Sequence, residues 1–361
     1  LSVKPTTIHD VAGALGMHKS TVSLALSGKG NISVQTRQRV LLVARELGYE
    51  PNPLAQRLAH GHSNGTVCLF SGLLDVGLAT EKILLVQRAL NAHGMDVPIY
   101  TCYDPATDNG EAQATQLRQL CRLRPRAIIC AAQMVSPSIY QELETYQNNG
   151  GLVVSYDTPI DFPCDRVIFD REDNAYLAAR HLLEKGHRDI GIGMSRLNGP
   201  VVGTKADPQL YRMRGFQRAL TEFGATMRPE WSFRSATYEK GGAELARQFL
   251  ALKERPTALT IVNDYVALAF MVELLRAGVR VPEDVSVVSH DNQPVAVYCP
   301  VQLTSMTHPT EKIAEAVVTL LLERINGIVP PDTPPRTVTI SGDLICRESV
   351  AALAPTPERN V

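Results

Sequence analysis

Lys19, Ser20, Thr21 and Ser23 place one ammonium and three hydroxyls within five residues. Such groups bond phosphate oxygens and can reach base edges in a DNA major groove. A second polar set is spread further along. Asp157, Tyr238, Asn263, Asp264, Asp291 and Asn292 lie just after short apolar runs, and Arg212 opens a helical pattern. A carboxylate, a guanidinium and an amide facing one cleft suit the vicinal hydroxyls of sugars or nucleosides through bidentate hydrogen bonds. For Asn263 and Asp264, a helix N-cap is an equally good use.

The first set needs a scaffold, and the flanking residues supply one. Ile8, Val11, Ala12 and Leu15 fall at helical spacing, Gly16 breaks the pattern, and Val22, Ala25 and Leu26 line a second short helix ending at Ser27-Gly28. Two helices joined through a glycine describe a helix-turn-helix whose second helix shows its polar side outward, although an ordinary helical hairpin in a core has the same stripe. Ser33 suits the cap of a third helix with Val40, Val43, Ala44 and Leu47 inside, Gly48 fits its C′ position, and Pro51 stops it. Residues 1–50 thus form an all-α headpiece. Residues 1–65 carry a formal charge of +4 and the remainder −5, so the motif coincides with a basic head on a mildly acidic body. Residues 51–65 begin with PNPLAQRLAHG, where Asn52, Pro53 and Gly61 cap a helix of about two turns, too short to form by itself. A plain linker is the other reading.

From Thr66 the pattern changes to short buried-type strands alternating with amphipathic helices, the signature of α/β architecture with doubly wound parallel sheets. Two runs of such units predict two subdomains within 66–361. The expected bounds are 66–168 plus 305–332 for the N-subdomain and 169–304 plus 333–350 for the C-subdomain. The polar residues after the strands would then face the crevice at the strands' carboxyl ends. Of 361 residues, 44% are apolar and 20% charged, which is the composition of a soluble globular protein. No apolar run reaches membrane-spanning length, and no signal-peptide core is visible. Seven scattered cysteines without a CxxC pair read as reduced thiols, so a cytoplasmic location is expected. IGIGM is an incomplete glycine motif, and GxSxG, HExxH and phosphate-loop lysine motifs are absent. Neither enzyme activity nor a cofactor or metal is expected.

The head and body together resemble the lactose-repressor/galactose-repressor (LacI/GalR) family of bacterial transcription regulators. The resemblance runs through residues 6–61 and then HLLEKGHRDI, YRMRGFQRAL, RPTALTIVNDYVAL, VPEDVSVVSHDN and CRES. It implies a homodimer on a palindromic operator, bound to the bacterial nucleoid, with a body like periplasmic sugar-binding proteins and a small effector in its cleft. By position, Lys19 and Ser20 would read bases. Thr7, Thr21, Ser23, Asn31, Ser33, Thr36, Tyr49, Asn52 and Gln56 would contact phosphates. Leu58, with Ala59 beside it, would enter the minor groove as a wedge or pack on its symmetry mate. Asp157, Arg212, Asn263 and Asp291 would contact the effector, with Tyr238 as the aromatic lining. Two residues depart from the family. His18 replaces a common serine N-cap, which predicts a less satisfied helix start. Leu24 replaces an arginine able to bond guanine, and is either a contact to a thymine methyl or a core leucine. SGLLDVGLAT also lacks the aromatic loop segment that often stacks on the ligand, so a common pyranose is not implied. A solute-binding protein with an incidental head is the alternative, disfavoured by the basic head and the lack of an export signal.

Overall fold

The computed structural model describes residues 6–27, 31–49, 65–71, 77–101, 111–131, 136–157, 160–196, 202–203, 205, 207–236 and 238–353. The chain divides into two compact units, residues 1–64 and 65–361. The expected hinge, including Asn52, Gln56, Leu58 and Ala59, lies outside the described residues.

The first unit holds α1 (Ile8–Leu15), α2 (Lys19–Ser27) and α3 (Val34–Glu46). The Asp10 carboxylate accepts from both the backbone N–H and the hydroxyl of Thr7, each at 2.7 Å, and closes the start of α1. Gly16 ends that helix at φ 62°, a conformation in which a side chain is strained. Val11, Ala12, Leu15, Val22, Ala25, Val40 and Ala44 meet in one small core. Leu47, expected on the inner stripe, is exposed instead. It follows the last turn of α3, where its carbonyl accepts from the Thr6 hydroxyl at 2.9 Å.

The second unit holds two six-stranded sheets. In the first, β1 (Val67–Ser71), β2 (Ile99–Thr101), β3 (Ala127–Ala131), β4 (Leu152–Asp157) and β5 (Asp165–Phe169) run parallel in the order 5-4-3-1-2. Its helices are α4 (Leu78–Ala92), α5 (Glu111–Arg122) and α6 (Pro137–Asn148). In the second, β6 (Ile190–Ser195), β7 (Ser232–Ser235), β8 (Ala258–Ile261), β9 (Ser286–Asp291) and β10 (Thr304–Thr307) repeat that order as 10-9-8-6-7. Its helices are α7 (Arg171–Glu184), α8 (Pro208–Glu222), α9 (Tyr238–Leu250), α10 (Asp264–Arg276) and the one-turn α11 (Val295–Tyr298). Apolar strands such as β1 and β3 are buried at every position because helices cover both faces.

The chain crosses between the sheets three times. α12 (Thr310–Ile325) follows β10 but packs with α4 on the first sheet. β11 (Thr337–Ile340) then extends the first sheet beside β5, and β12 (Leu344–Ile345) closes the second, antiparallel to β10. The expected subdomain bounds need correction on both sides. Residues 304–307 belong to the second sheet and 337–340 to the first. The reason is pairing: β11 finds its backbone partners on β5, and the polar strand TSMT finds its own on β9. Buried hydroxyls make that strand possible, since Ser305 Oγ bonds Asp264 at 2.8 Å and the Thr304 N–H donates to Ser349 Oγ at 2.8 Å. Among the described residues, no helix is long and apolar enough to cross a membrane.

α7 and α8 approach closely at Gly215, where an added methyl would collide with the Glu172 carbonyl oxygen, a backbone atom that cannot swing away. Overpacking costs about 1–3 kcal/mol, more than the roughly 1 kcal/mol of helix propensity that alanine returns. Gly215→Ala is therefore expected to lower the urea midpoint of the second unit; an unchanged or raised midpoint would contradict this close approach.

Candidate functional site

The second helix of the headpiece has two clearly different sides. Val22 and Ala25 are buried, while Lys19 and Ser20 are exposed and Thr21 and Ser23 half-buried. Leu24 is 42% exposed and takes no part in the headpiece core, so it stands on the outward side with Ser20. His18 does more than the sequence suggests. Its Nδ1 lies 2.8 Å from Ser20 Oγ and accepts from the Ser20 backbone N–H at 3.4 Å, while its carbonyl accepts from Thr21 and Val22. The ring thus replaces a serine cap, which corrects the expectation of a poorly satisfied helix start. Ser33 caps α3, accepting from the Thr36 N–H at 3.1 Å, and the two hydroxyls lie 2.8 Å apart. Thr7, Asn31 and Ser33 are exposed, and Thr36 and Tyr49 half-buried.

In the second unit, the carboxyl ends of β4 and β9 each carry an aspartate at positive φ, Asp157 at 82° and Asp291 at 95°. They are equivalent positions of the repeated topology but have different surroundings. Asp157 Oδ2 bonds Lys82 Nζ at 2.6 Å, and Oδ1 bonds Arg171 Nη2 at 2.8 Å, with Arg171 Nη1 donating to the Asp157 carbonyl at 2.7 Å. Burial pushes this carboxyl up, but the Arg171 and Lys82 charges override it and hold Asp157 well below the ordinary aspartate range. Asp157 is therefore an anion with a protein cation on each oxygen. Among the described residues, no arginine or lysine contacts Asp291. Burial lifts its pKa to about 6, against the opposing pull of Arg212.

His308, just beyond β10, lies between them. Lys82 Nζ stands 3.1 Å from its Nε2, and its Nδ1 is 3.8 Å from Asp291. Burial and the Lys82 charge keep the ring neutral, so Nε2 accepts from the lysine and Nδ1–H faces Asp291. Phe169, at the end of β5, packs on the same ring with centroids 3.9 Å apart. Arg212 on α8 forms neither an ion pair nor a side-chain hydrogen bond with a described residue. Burial and Arg171 draw its pKa down to about 10, which leaves it cationic at neutral pH.

The other expected cleft residues fare differently. Asn263 Oδ1 caps α10 through the Val266 N–H at 2.9 Å, leaving its amide donors. Asp264 is fully buried, takes hydrogen bonds from Ser289, Ser305 and the Gln293 N–H, and is raised to about 7 by burial and by Asp291. Asn292 Oδ1 accepts from Arg347 at 2.6 Å. Tyr238 begins α9, and its side chain lies outside the described residues. Lys82, Arg171, His308 and Phe169 were missed from sequence. Lys82 carried a legible signal: it sits four residues before Val86 and eight before Leu90, on the buried stripe of α4, where a lysine needs an internal counter-charge.

Residues 7–52 match the family described as bacterial regulatory proteins, lacI family, and residues 179–350 match the periplasmic binding protein-like domain. The HTH-type transcriptional repressor PurR of Erwinia tasmaniensis is 29% identical over 345 residues, covering 96% of this chain and 97% of that one. The chain belongs to the LacI/GalR family. PurR of Yersinia enterocolitica is 28% identical over the same shares. Among solved structures, the lac repressor dimer bound to operator and the anti-inducer ONPF shares the fold with a TM-score of 0.81. That match has 23% identity and covers 97% of this chain and all of that one. The transcriptional regulator CelR in complex with cellobiose matches at a TM-score of 0.67 and 25% identity, covering 95% of this chain and 99% of that one.

In this LacI-family chain the aspartate that ends β4 is committed to joining the subdomains, since Lys82 belongs to the first and Arg171 to the second. Removing one partner of a buried ion pair typically costs about 3–5 kcal/mol, because the other charge is stranded. Asp157→Ala, which strands two, is expected to destabilise the second unit by at least that much in urea unfolding. A loss below about 1 kcal/mol, the value of a solvated pair, would contradict the buried network.

Proposed function

We propose that the chain is a transcriptional repressor that binds a palindromic operator as a homodimer and responds to a small polar effector between its α/β subdomains. The observation that carries this reading is the outward face of α2: Lys19, Ser20 and Leu24 are exposed on a helix whose opposite side builds the headpiece core. Lys19 and Ser20 read bases, and Leu24 contacts a thymine methyl where an arginine would select guanine. Thr7, Thr21, Ser23, Asn31, Ser33, Thr36 and Tyr49, with Asn52 and Gln56, hold phosphates. Leu58 and Ala59 enter the minor groove. The PurR relatives are named transcriptional repressors, and the lac repressor of like fold is a dimer on its operator, which supports two headpieces on two half-sites.

The effector contacts are Arg212 and Asp291, which among the described residues have no acceptor and no contacting arginine or lysine respectively, with the Asn263 amide and Tyr238 completing them. Vicinal hydroxyls, sugar-like or nucleoside-like, accept from the guanidinium and donate to the carboxylate together. Asp157, another of the expected effector contacts, has each carboxylate oxygen paired with a cation of the protein, Lys82 on one and Arg171 on the other. Differential binding of the effector to two subdomain poses would shift operator affinity by about 1–3 kcal/mol, as is typical of allosteric coupling.

Operator binding by the full chain should weaken with salt at a log–log slope near −0.9 per phosphate neutralised; absence of DNA binding at low salt would favour a solute-binding protein. In a thermal-shift screen of sugars, polyols and nucleosides, a ligand at 100 times its Kd adds about 2.7 kcal/mol. Arg212→Ala should lose that shift while binding DNA normally, and an unaltered shift would remove Arg212 from the effector site. Leu24→Arg should move selection from a randomised operator pool toward guanine at one half-site position. An unchanged selected sequence would take Leu24 out of the base-reading set.

A further inference from the structure

The Ser20 hydroxyl is not free to choose its hydrogen-bond polarity. Helix first turns leave backbone N–H groups without intrahelical acceptors, and in α2 those of Thr21 and Val22 use the His18 carbonyl. The Ser20 N–H turns instead to His18 Nδ1 at 3.4 Å. A backbone N–H can only donate, so Nδ1 must be the unprotonated ring nitrogen. The Ser20 hydroxyl, 2.8 Å from that nitrogen, is then the donor in their bond. Its one proton is spent on His18, and the lone pairs of Oγ are what remain for a partner in solvent, where both residues are exposed.

We infer that His18 is a positioning residue for operator specificity: it fixes Ser20 as an acceptor-only contact. Such a contact selects a base with an exocyclic amine in the major groove, adenine through N6 or cytosine through N4. Guanine and thymine offer only acceptors to the same oxygen. An uncoupled serine would rotate its hydroxyl and accept either class. Lys19, the neighbouring residue, is donor-only, so the two side chains have opposite polarity, and Lys19 disfavours only cytosine, whose major-groove edge offers no acceptor. This rests on the proposal that Ser20 reads a base and adds the polarity of that contact.

The test is selection from a randomised operator pool by the full chain, followed by affinity measurements on the single-base variants. The wild type is expected to prefer amine-bearing bases at one half-site position by roughly three- to tenfold, the range of one net hydrogen bond. Ser20→Ala should abolish that preference at that position alone. His18→Ala should bring amine and keto bases to equal affinity there while preferences elsewhere persist, which also shows the headpiece folded. His18→Ser, which restores a small acceptor for the helix start without the ring, should relax the same position. A preference that survives in both His18 variants, or a wild-type preference for guanine or thymine at the Ser20-dependent position, overturns the inference. A Ser20→Ala selection identical to wild type at every position would remove the base contact itself, a separate failure that leaves Ser20 no polarity to set.

Discussion

The buried Asp157 carboxylate is the constraint on which the ligand-binding unit turns. It ends a strand of the first subdomain, takes one cation from a helix of that subdomain and a second from the first residue of α7 in the other. Three ionised groups in so dry a place carry a large desolvation cost, so the network adds little net stability over an apolar packing of similar shape. It adds a requirement: the subdomains must meet in a register that gives both cations their acceptor. The crossovers reinforce that register through neutral bonds. Asn174 on α7 donates to the Thr307 carbonyl at 3.1 Å and accepts from the Gly342 N–H at 2.8 Å, tying the second crossover to the third.

The repeated topology shows what that requirement leaves for a ligand. β4 and β9 end alike, in an aspartate forced to positive φ, a strain of the kind kept at functional sites. The first copy is filled by Lys82 and Arg171; the second faces Arg212 without touching it. His308 separates the two, neutral, its acceptor nitrogen toward Lys82 and its N–H toward Asp291. The first aspartate is therefore paired internally, while among the described residues no arginine or lysine pairs with the second. A fold built from two copies of one plan thus uses them differently, one as a clasp between the subdomains and the other, on the function proposed above, as a binding group.

The headpiece and the alternation of strands and helices were legible because periodicity and caps are local properties: Val11, Leu15, Val22 and Ala25 reached the core that their spacing predicted. The last crossings were not. Whether residues 337–340 join one sheet or the other depends on which edge has free backbone groups, and no local pattern records that. β10 escaped for a related reason, since TSMT is polar in sequence and becomes a buried strand only once Asp264 and Ser349 satisfy its hydroxyls and N–H groups. At the cleft, Asp157 and Asp291 end their strands in the same way, and sequence could not tell the cation-paired one from the other. That distinction depends on Lys82 and Arg171, one 75 residues before Asp157 and the other 14 after it.

The two units solve the problem of positioning polar groups by different means. The body buries Asp157 and fixes it by ion pairs with Lys82 and Arg171. The headpiece core is too small for that, with seven buried residues among its described positions. It relies on caps. The Thr7 hydroxyl is held by Asp10, the Ser20 hydroxyl by His18, and the Ser33 and Thr36 hydroxyls by each other. Each cap closes a helix end and, with the same bonds, orients a hydroxyl proposed to meet DNA. Orientation set before binding lowers the entropy lost on binding, so on that proposal these caps act in recognition as well as in folding. A substitution in one of them therefore disturbs both, and only a readout that separates base preference from affinity can tell the two effects apart.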